Sequence, residues 1–256
     1  MTKIDLSGKT ALVAGVANHR SLAWAIGKEL GDAGARLVLT YQSERFADAA
    51  AKLAAEYPGS LLVECDVASD ASLDAAFARI SAEAGRVDVL VHAIAFANRE
   101  DLEGAFVDTS REGYRVALEI SAFSLLALTS RAAPLMTEGG AIVSLSFIAA
   151  QRALANYNVM GTAKAALEQS TRLLAQELGP RKIRVNCISA GPVNTLSARG
   201  ISGFTGMLGI HADRAPLKRN VTPKEVGTTA LFLCSDLSSG ITGDVIYVDA
   251  GFHVTI

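Results

Sequence analysis

The sequence predicts an α/β fold: a parallel sheet of about seven strands, doubly wound by helices on both faces. Three observations carry that reading. Short runs rich in Val, Leu and Ile recur from end to end. These runs are continuous rather than alternating, as expected of strands covered on both faces. They are separated by segments of helical length, so that each strand is followed by a crossover, right-handed by the twist of the strand.

The first strand is read at 10–16 (TALVAGV). Ser21, a hydroxyl before LAWAIGKEL, then opens a helix over 21–33. A second strand at 35–40 (ARLVLT) leads to a helix at 43–57, and a third at 61–65 (LLVEC) to a helix over 70–84 that starts behind Ser69. The fourth strand is 87–93 (VDVLVHA), followed by a long helix at 109–137. The fifth is 140–146 (GAIVSLS), with a helix at 157–178, and the sixth is 183–188 (IRVNCI). Thr222-Pro223 opens a last helix over 222–236 before the seventh strand, 244–248 (DVIYV). Between them, 190–220 shows no period. A long glycine-containing loop is a lid over a site or a solvent-exposed insertion. No linker or repeat divides the chain, so 1–256 reads as one domain.

Composition removes several classes of function. Half of the 256 residues are hydrophobic, 20% are charged and the net charge is −2, which leaves no concentrated basic face for nucleic acid. No run reaches the ~18 apolar residues of a membrane span. The apolar stretch Ala11 to Ala17 is broken by Gly15 and fits a strand better than a secretory segment. Neither nucleic acid nor membrane is expected as a partner. Cys65, Cys187 and Cys234 are odd in number, far apart and set among apolar residues, as in the reduced interior of a cytoplasmic protein. No pair has metal-ligand spacing, so no metal is expected. HExxH and G-x-S-x-G motifs are absent, and His19, His92, His211 and His253 are scattered, which argues against zinc and nucleophilic hydrolysis. The basic run Arg214 to Arg219 reads as a solvated cluster or as a contact for an acidic partner.

Open, Rossmann-like parallel sheets bind ligands beyond the carboxyl ends of their strands. At the first such end lies Gly15-Val16-Ala17-Asn18-His19-Arg20-Ser21, where a glycine lets the backbone approach a pyrophosphate and a helix N-terminus supplies donors. The G-x-G-x-x-G spacing is missing, and a plain strand–helix turn fits this loop equally well. Gln42 after the second strand suits an adenosine ribose, and Asp66-Val67 after the third suits an adenine amino group. Each also suits an ordinary turn. Together, at successive strand ends, they favour NAD(H) or NADP(H). Tyr157 and Lys164 stand seven residues apart, nearly two helical turns, and so share a face about 10 Å apart along the axis. A phenol there can donate to a substrate carbonyl while the ammonium holds a ribose. Gly161 and Ala163 between them are expected to keep that face low for a cofactor. By periodicity alone, an ordinary surface Tyr and Lys fits as well.

Embedded in NYNVMGTAKAALE, however, this pair resembles the short-chain dehydrogenase/reductase superfamily, specifically its bacterial enoyl-acyl-carrier-protein reductase branch. The superfamily's Tyr-x3-Lys is absent: four residues after the five tyrosines stand Arg45, Leu61, Leu118, Gly161 and Gly251. Tyr157-x6-Lys164 is the spacing of the branch. GVANHRSLAWAIG, VHAIAFAN, ISAGPVNTLSARGI and CSDLSSGITGDVIYVDAGF extend the likeness over essentially the whole chain. The resemblance implies reduction of a trans-2-enoyl thioester on acyl carrier protein, with NADH, in the last step of each type II fatty-acid elongation cycle. It implies Tyr157 and Lys164 as catalytic residues, and Gly15, Ser21 and Leu22 as cofactor contacts. Ile94 is carried over as a cofactor neighbour, Ala97 as an acyl neighbour, and Val193 and Thr195 as holding nicotinamide and pyrophosphate. A cytoplasmic homotetramer is implied as well. Gln42 is neutral and no cation immediately follows it, so NADH is expected over NADPH, with NADPH possible through Arg45. Two positions depart from the pattern. Phe147 stands where many members carry a second tyrosine, which makes it a shaper of the acyl pocket, and Asn194 replaces an arginine. The rival readings are a carbonyl reductase on the same fold and a non-catalytic NAD(P)-binding protein. The missing Tyr-x3-Lys, and Ser121 where such reductases often place an asparagine, oppose the first. Retention of both Tyr157 and Lys164 opposes the second.

Overall fold

Each of the seven apolar runs becomes a strand: β1 (Thr10–Ala14), β2 (Arg36–Tyr41), β3 (Leu61–Glu64), β4 (Val89–His92), β5 (Gly140–Ser146), β6 (Ile183–Ala190) and β7 (Val245–Val248). The structure is a computed structural model and describes residues 4–195 and 198–255. Every strand pair is parallel, and the order is β3-β2-β1-β4-β5-β6-β7. β1 shows why its run had to be continuous. Leu12 and Ala14 enter one core layer while Ala11 and Val13 enter the other, and all five of its residues are buried.

The helices divide between those layers. α1 (Leu22–Asp32), α2 (Glu44–Ala54) and α8 (Pro223–Leu233) cover one face through Ile26, Leu30, Leu53, Val226 and Ala230. α3 (Asp70–Ala84), α5 (Ser124–Ala132) and α6 (Asn158–Leu178) cover the other through Leu73, Ile80, Leu125, Leu128 and Leu167. The hydroxyl starts read from the sequence are real caps. Ser21 accepts from Trp24 N at 3.2 Å and Ser69 from Ser72 N at 3.3 Å. Thr222 and Glu225 form a reciprocal capping box with Pro223 in the first turn.

Two segments differ from the sequence reading. The helix expected over 109–137 is α4 (Arg111–Leu118) and α5 joined by a π-helical turn, Glu119–Phe123, with a 3-10 turn, Ala133–Leu135, at its end. Ser121 sits in the widened turn, fully buried, and its hydroxyl accepts from Phe96 N and donates to Phe96 O, both at 2.9 Å. The span Arg111–Leu135 is long and apolar enough to cross a membrane by length and mean hydropathy (1.4), but 56% of its apolar window is buried inside the protein, as in a core helix. The second difference lies in 190–220, read as irregular: it contains α7 (Phe204–Arg214). Gly206 and Gly209 lower its helix propensity, and only Phe204 and His211 of its side chains are buried, so no apolar stripe marked it.

The chain runs outward from β1 to β2 and β3, then returns to place β4 on the other side of β1. Connections leaving these neighbours diverge, which opens a crevice beyond their carboxyl ends.

Candidate active site

Gly15 opens the crevice. Its φ is +96°, and a Cβ there would lie 2.5 Å from the Ala93 carbonyl oxygen and 3.0 Å from Ile94 Cγ1. Glycine is therefore required first by the close approach of the β1 and β4 ends, a demand that a ligand-centred reading of the loop overlooks. The chain then turns on Asn18, which accepts from Arg20 N through Oδ1 at 2.8 Å and from Ser21 Oγ through its carbonyl at 2.7 Å. That turn aims the first amides of α1 into the crevice. No acidic residue stands in the first turn of α1 to offset its positive end.

From Gly15, Ser21 and Leu22 the cleft, about 470 Å³, passes Ile94 and Ala97 and reaches Tyr157 and Lys164. Phe147, Val193 and Thr195 line it as well. Val193 is buried, and Thr195 Oγ1 accepts from Ala198 N at 3.1 Å, which shapes the short turn Ala198–Gly200 beside the cleft. Gln42, Asp66 and Val67 do not line this cleft. They follow β2 and β3 along the same sheet edge, tied together where Cys65 N donates to Tyr41 O at 2.8 Å. Asp66 Oδ1 accepts from Ala68 N at 3.1 Å, and the Val67 side chain belongs to the core.

At the far end, Asn156 adopts φ +61°, a left-handed conformation that asparagine tolerates, and its amide donates to Ser202 O at 3.1 Å. This turn delivers Tyr157 as the N-cap of α6, one residue before the helix body in which it was expected. Met160 N and Gly161 N donate to the Tyr157 carbonyl, so the residue still follows the helical path. Its ring packs against Phe147, with centroids 5.0 Å apart and planes at 50°. Burial alone acts on the phenol and pushes it well above its usual range, so it stays a neutral donor. Lys164 is buried too, and its Nζ donates to the Leu145 carbonyl at 2.7 Å. Burial pushes its ammonium down to about 8, against the opposing effects of Cys187 and Glu168.

Gly161 and Ala163 serve packing and not a cofactor face, contrary to expectation. A Cβ on Gly161 would lie 3.0 Å from the Ala149 carbonyl, and Ala163 is fully buried beside Tyr157. Sequence reasoning also passed over Met160, Leu145 and Phe204, all of which line the cleft. Met160 carried a signal, since it is three residues after Tyr157 and four before Lys164 and so lies on their face. Leu145 and Phe204 come from other elements and carried none.

A second chamber of about 270 Å³ lies behind Phe147, bounded by Leu154, Met207, Ile210 and Phe252. Phe147 lines both spaces. His92 is fully buried, with Nε2 2.7 Å from Ser124 Oγ, and burial holds it neutral, near a pKa of about 3. Among the described residues no cluster of His, Cys, Asp or Glu can hold a metal ion. In the basic run, Arg219 is bound by both oxygens of Glu225, at 2.7 and 2.9 Å, and Lys218 Nζ donates to Asp213 O, so these two charges have local partners.

Comparison with known proteins gives a single answer. Residues 15–253 match the family model described as enoyl-(acyl carrier protein) reductase. A Bacillus cereus protein named enoyl-acyl-carrier-protein reductase (NADH) FabI is 51% identical over 251 residues, 97% of this chain and 98% of its own. Its Staphylococcus aureus counterpart, named as the NADPH form, is 48% identical over 98% of each chain. Among solved structures, the Bacillus cereus reductase with NADP+ and an indole naphthyridinone has a TM-score of 0.95 at 50% identity, over 98% of both chains. The Anaplasma phagocytophilum reductase in complex with NAD has a TM-score of 0.94 at 45% identity, over 99% of this chain and 97% of that one.

Proposed function

The chain belongs to the enoyl-(acyl carrier protein) reductase family, and on that premise we propose that Tyr157 and Lys164 are the residues with which it reduces trans-2-enoyl thioesters. The chain is an oxidoreductase that saturates enoyl-acyl carrier protein in fatty-acid synthesis, with NADH as reductant and NADPH possible. One observation carries the assignment of roles: a neutral buried phenol and a buried ammonium share one end of a cleft whose other end is a glycine turn and a bare helix N-terminus.

That cleft suits a nicotinamide dinucleotide. The Gly15 turn leaves no side chain in the way, and the uncompensated N-terminus of α1 favours a pyrophosphate. Gly15, Ser21, Leu22, Ile94, Val193 and Thr195 would hold the cofactor, with Gln42, Asp66 and Val67 at its adenosine end. When bound, reduced nicotinamide supplies a hydride to the β-carbon of the enoyl group. The Tyr157 hydroxyl donates to the thioester oxygen as negative charge develops there, and protonation at the α-carbon completes the reduction. A preorganised donor in a dry site stabilises that charge without reorganisation. Lys164 would hold the ribose hydroxyls of the cofactor, and its ammonium adds positive potential to the cleft. Ala97 and Phe147 line the acyl side and exclude water.

We read 1–256 as one reductase domain, supported by the two core layers on one continuous sheet. We further propose a cytoplasmic homotetramer. The three buried free cysteines suit a reducing compartment, and exposed Phe123, Leu126 and Leu173 suit an interface between copies. The test of function is NADH consumption with a crotonyl thioester, run beside a panel of ketones and repeated with NADPH. Turnover of the thioester, little of the ketones and a higher kcat/KM with NADH are expected. The Arg45 guanidinium lies over Phe46, 5.6 Å from its ring centre. A tenfold advantage for NADPH would make Arg45 the reader of a 2′-phosphate.

A further inference from the structure

The reaction described above leaves a buried carboxylate unexplained. Glu168, on α6 and one helical turn beyond Lys164, is 3% exposed, and Lys164 is 5% exposed. The two side chains dock on consecutive residues at the end of β5. Lys164 Nζ donates to the Leu145 carbonyl, and Ser146 Oγ donates to Glu168 Oε1, each at 2.7 Å. The other contacts of the carboxylate are longer: Gln151 Nε2 at 3.5 Å and Arg172 Nη2 at 3.8 Å, the latter from a side chain 46% exposed. A carboxylate removed from water is unfavourable unless an opposite charge is near. Residues four apart on a helix are neighbours, and Lys164 is the buried cation of α6.

We propose that Glu168, clamped by Ser146, is a positioning residue for Lys164: a buried counter-ion that keeps the ammonium charged in the cleft and so sets the alkaline limit of cofactor binding and turnover. This rests on the role given to Lys164 above. The groups facing the ammonium from other elements are His92 on β4 and Cys187 on β6, with Tyr157 at the head of its own helix. Burial holds all three neutral near pH 7, and Cys187, whose thiol is pushed up to about 12, opposes the lowering of Lys164 only as a thiolate. Glu168 is the carboxyl group that acts on Lys164, favouring the ammonium from one turn along the helix without a direct ion pair between them. On its outer side Glu168 is faced by Arg172 and by Tyr247 of β7. Removing the carboxylate lowers the Lys164 pKa further, so the ammonium is lost at a lower pH.

Glu168→Gln keeps the shape and the acceptor for Ser146. NADH affinity by fluorescence titration, and kcat/KM on a crotonyl thioester, are measured between about pH 6 and pH 9, a range that brackets the shift expected for one neighbouring charge. The expected result is wild-type behaviour at the acid end and an alkaline fall displaced downward by about one pH unit. Profiles that superimpose in shape, even with a uniform loss, overturn the proposal. The titration needs no enoyl substrate: a displaced binding profile in a protein that reduces no enoyl thioester upholds the counter-ion and defeats the assigned reaction instead. Should Glu168→Gln fail to fold, thermal stability of Lys164→Met, Glu168→Gln and the double variant decides. Partial restoration of stability in the double variant supports the pair, and simply additive losses overturn it.

Discussion

Tyr157 and Phe147 touch, yet chemistry and shape divide between them. The phenol is the one hydroxyl in that ring pair, and burial keeps it protonated. Tyr157→Phe should lower kcat by ~10²-fold or more while leaving NADH affinity intact, the scale for losing one oxyanion donor. Near-normal turnover of that variant on a crotonyl thioester would remove Tyr157 from the mechanism. Phe147 lines both the substrate cleft and the second chamber, together with Ala190, Gly191, Pro192 and Met207. Phe147→Tyr should change kcat/KM by less than ~10-fold, about 1.4 kcal/mol. Phe147→Ala should join the two spaces and act mainly on KM and acyl-length preference. A loss of ~3–5 kcal/mol in stability with unchanged kinetics would make Phe147 a core residue only, and a large gain in turnover for Phe147→Tyr would mean that the missing hydroxyl limits the enzyme.

Among the elements, the β1–α1 connection joins fold and function most tightly. Gly15 is held at positive φ against the end of β4, and the turn behind it aims α1 into the cleft. Gly15→Ala adds both backbone strain and a clash with the Ala93 carbonyl. Gly59, at φ +87°, has no heavy atom within 4 Å of where its Cβ would stand, so Gly59→Ala isolates the strain. Gly59→Ala should cost about 1 kcal/mol, and Gly15→Ala about 2 kcal/mol or more together with weaker NADH binding. Equal losses of thermal stability in the two variants would show that the approach of β1 to β4 relaxes easily. α7 is the opposite kind of element. It covers the cleft through Phe204 and Met207 but buries only Phe204 and His211, so its hold on the core is slight.

On the scale of the whole molecule, a seven-stranded sheet covered on both faces still exposes Phe123, Leu126 and Leu173, and β7 is half-buried at every residue as an edge strand. If Leu126 and Leu173 seat another copy, Leu126→Glu combined with Leu173→Glu should reduce the sedimenting mass below four chains. A wild-type protein that sediments as a monomer contradicts the tetramer. The sequence by itself determined the strands, because each is a continuous apolar run whose burial on both faces needs no knowledge of its partners. It determined the helix starts in the same way, because Ser21, Ser69 and Thr222 cap within three residues of themselves. That Tyr157 and Lys164 share a face was legible for a related reason, since one helical repeat sets them there, and Met160, which was passed over, lies on the same face. Tertiary structure decided what depends on contacts between distant segments. Gly15 answers to Ala93, Ser121 holds Phe96, Gly161 answers to Ala149, and Glu168 meets Ser146 across 22 residues. It also formed α7, whose helix lacks a buried stripe, and it set Gln42, Asp66 and Val67 along the sheet edge next to the cleft rather than in its walls. The physical reason is range. Propensity, capping and periodicity act over a turn or a strand, whereas close approach and the pairing of buried charges exist only once the chain has folded back on itself.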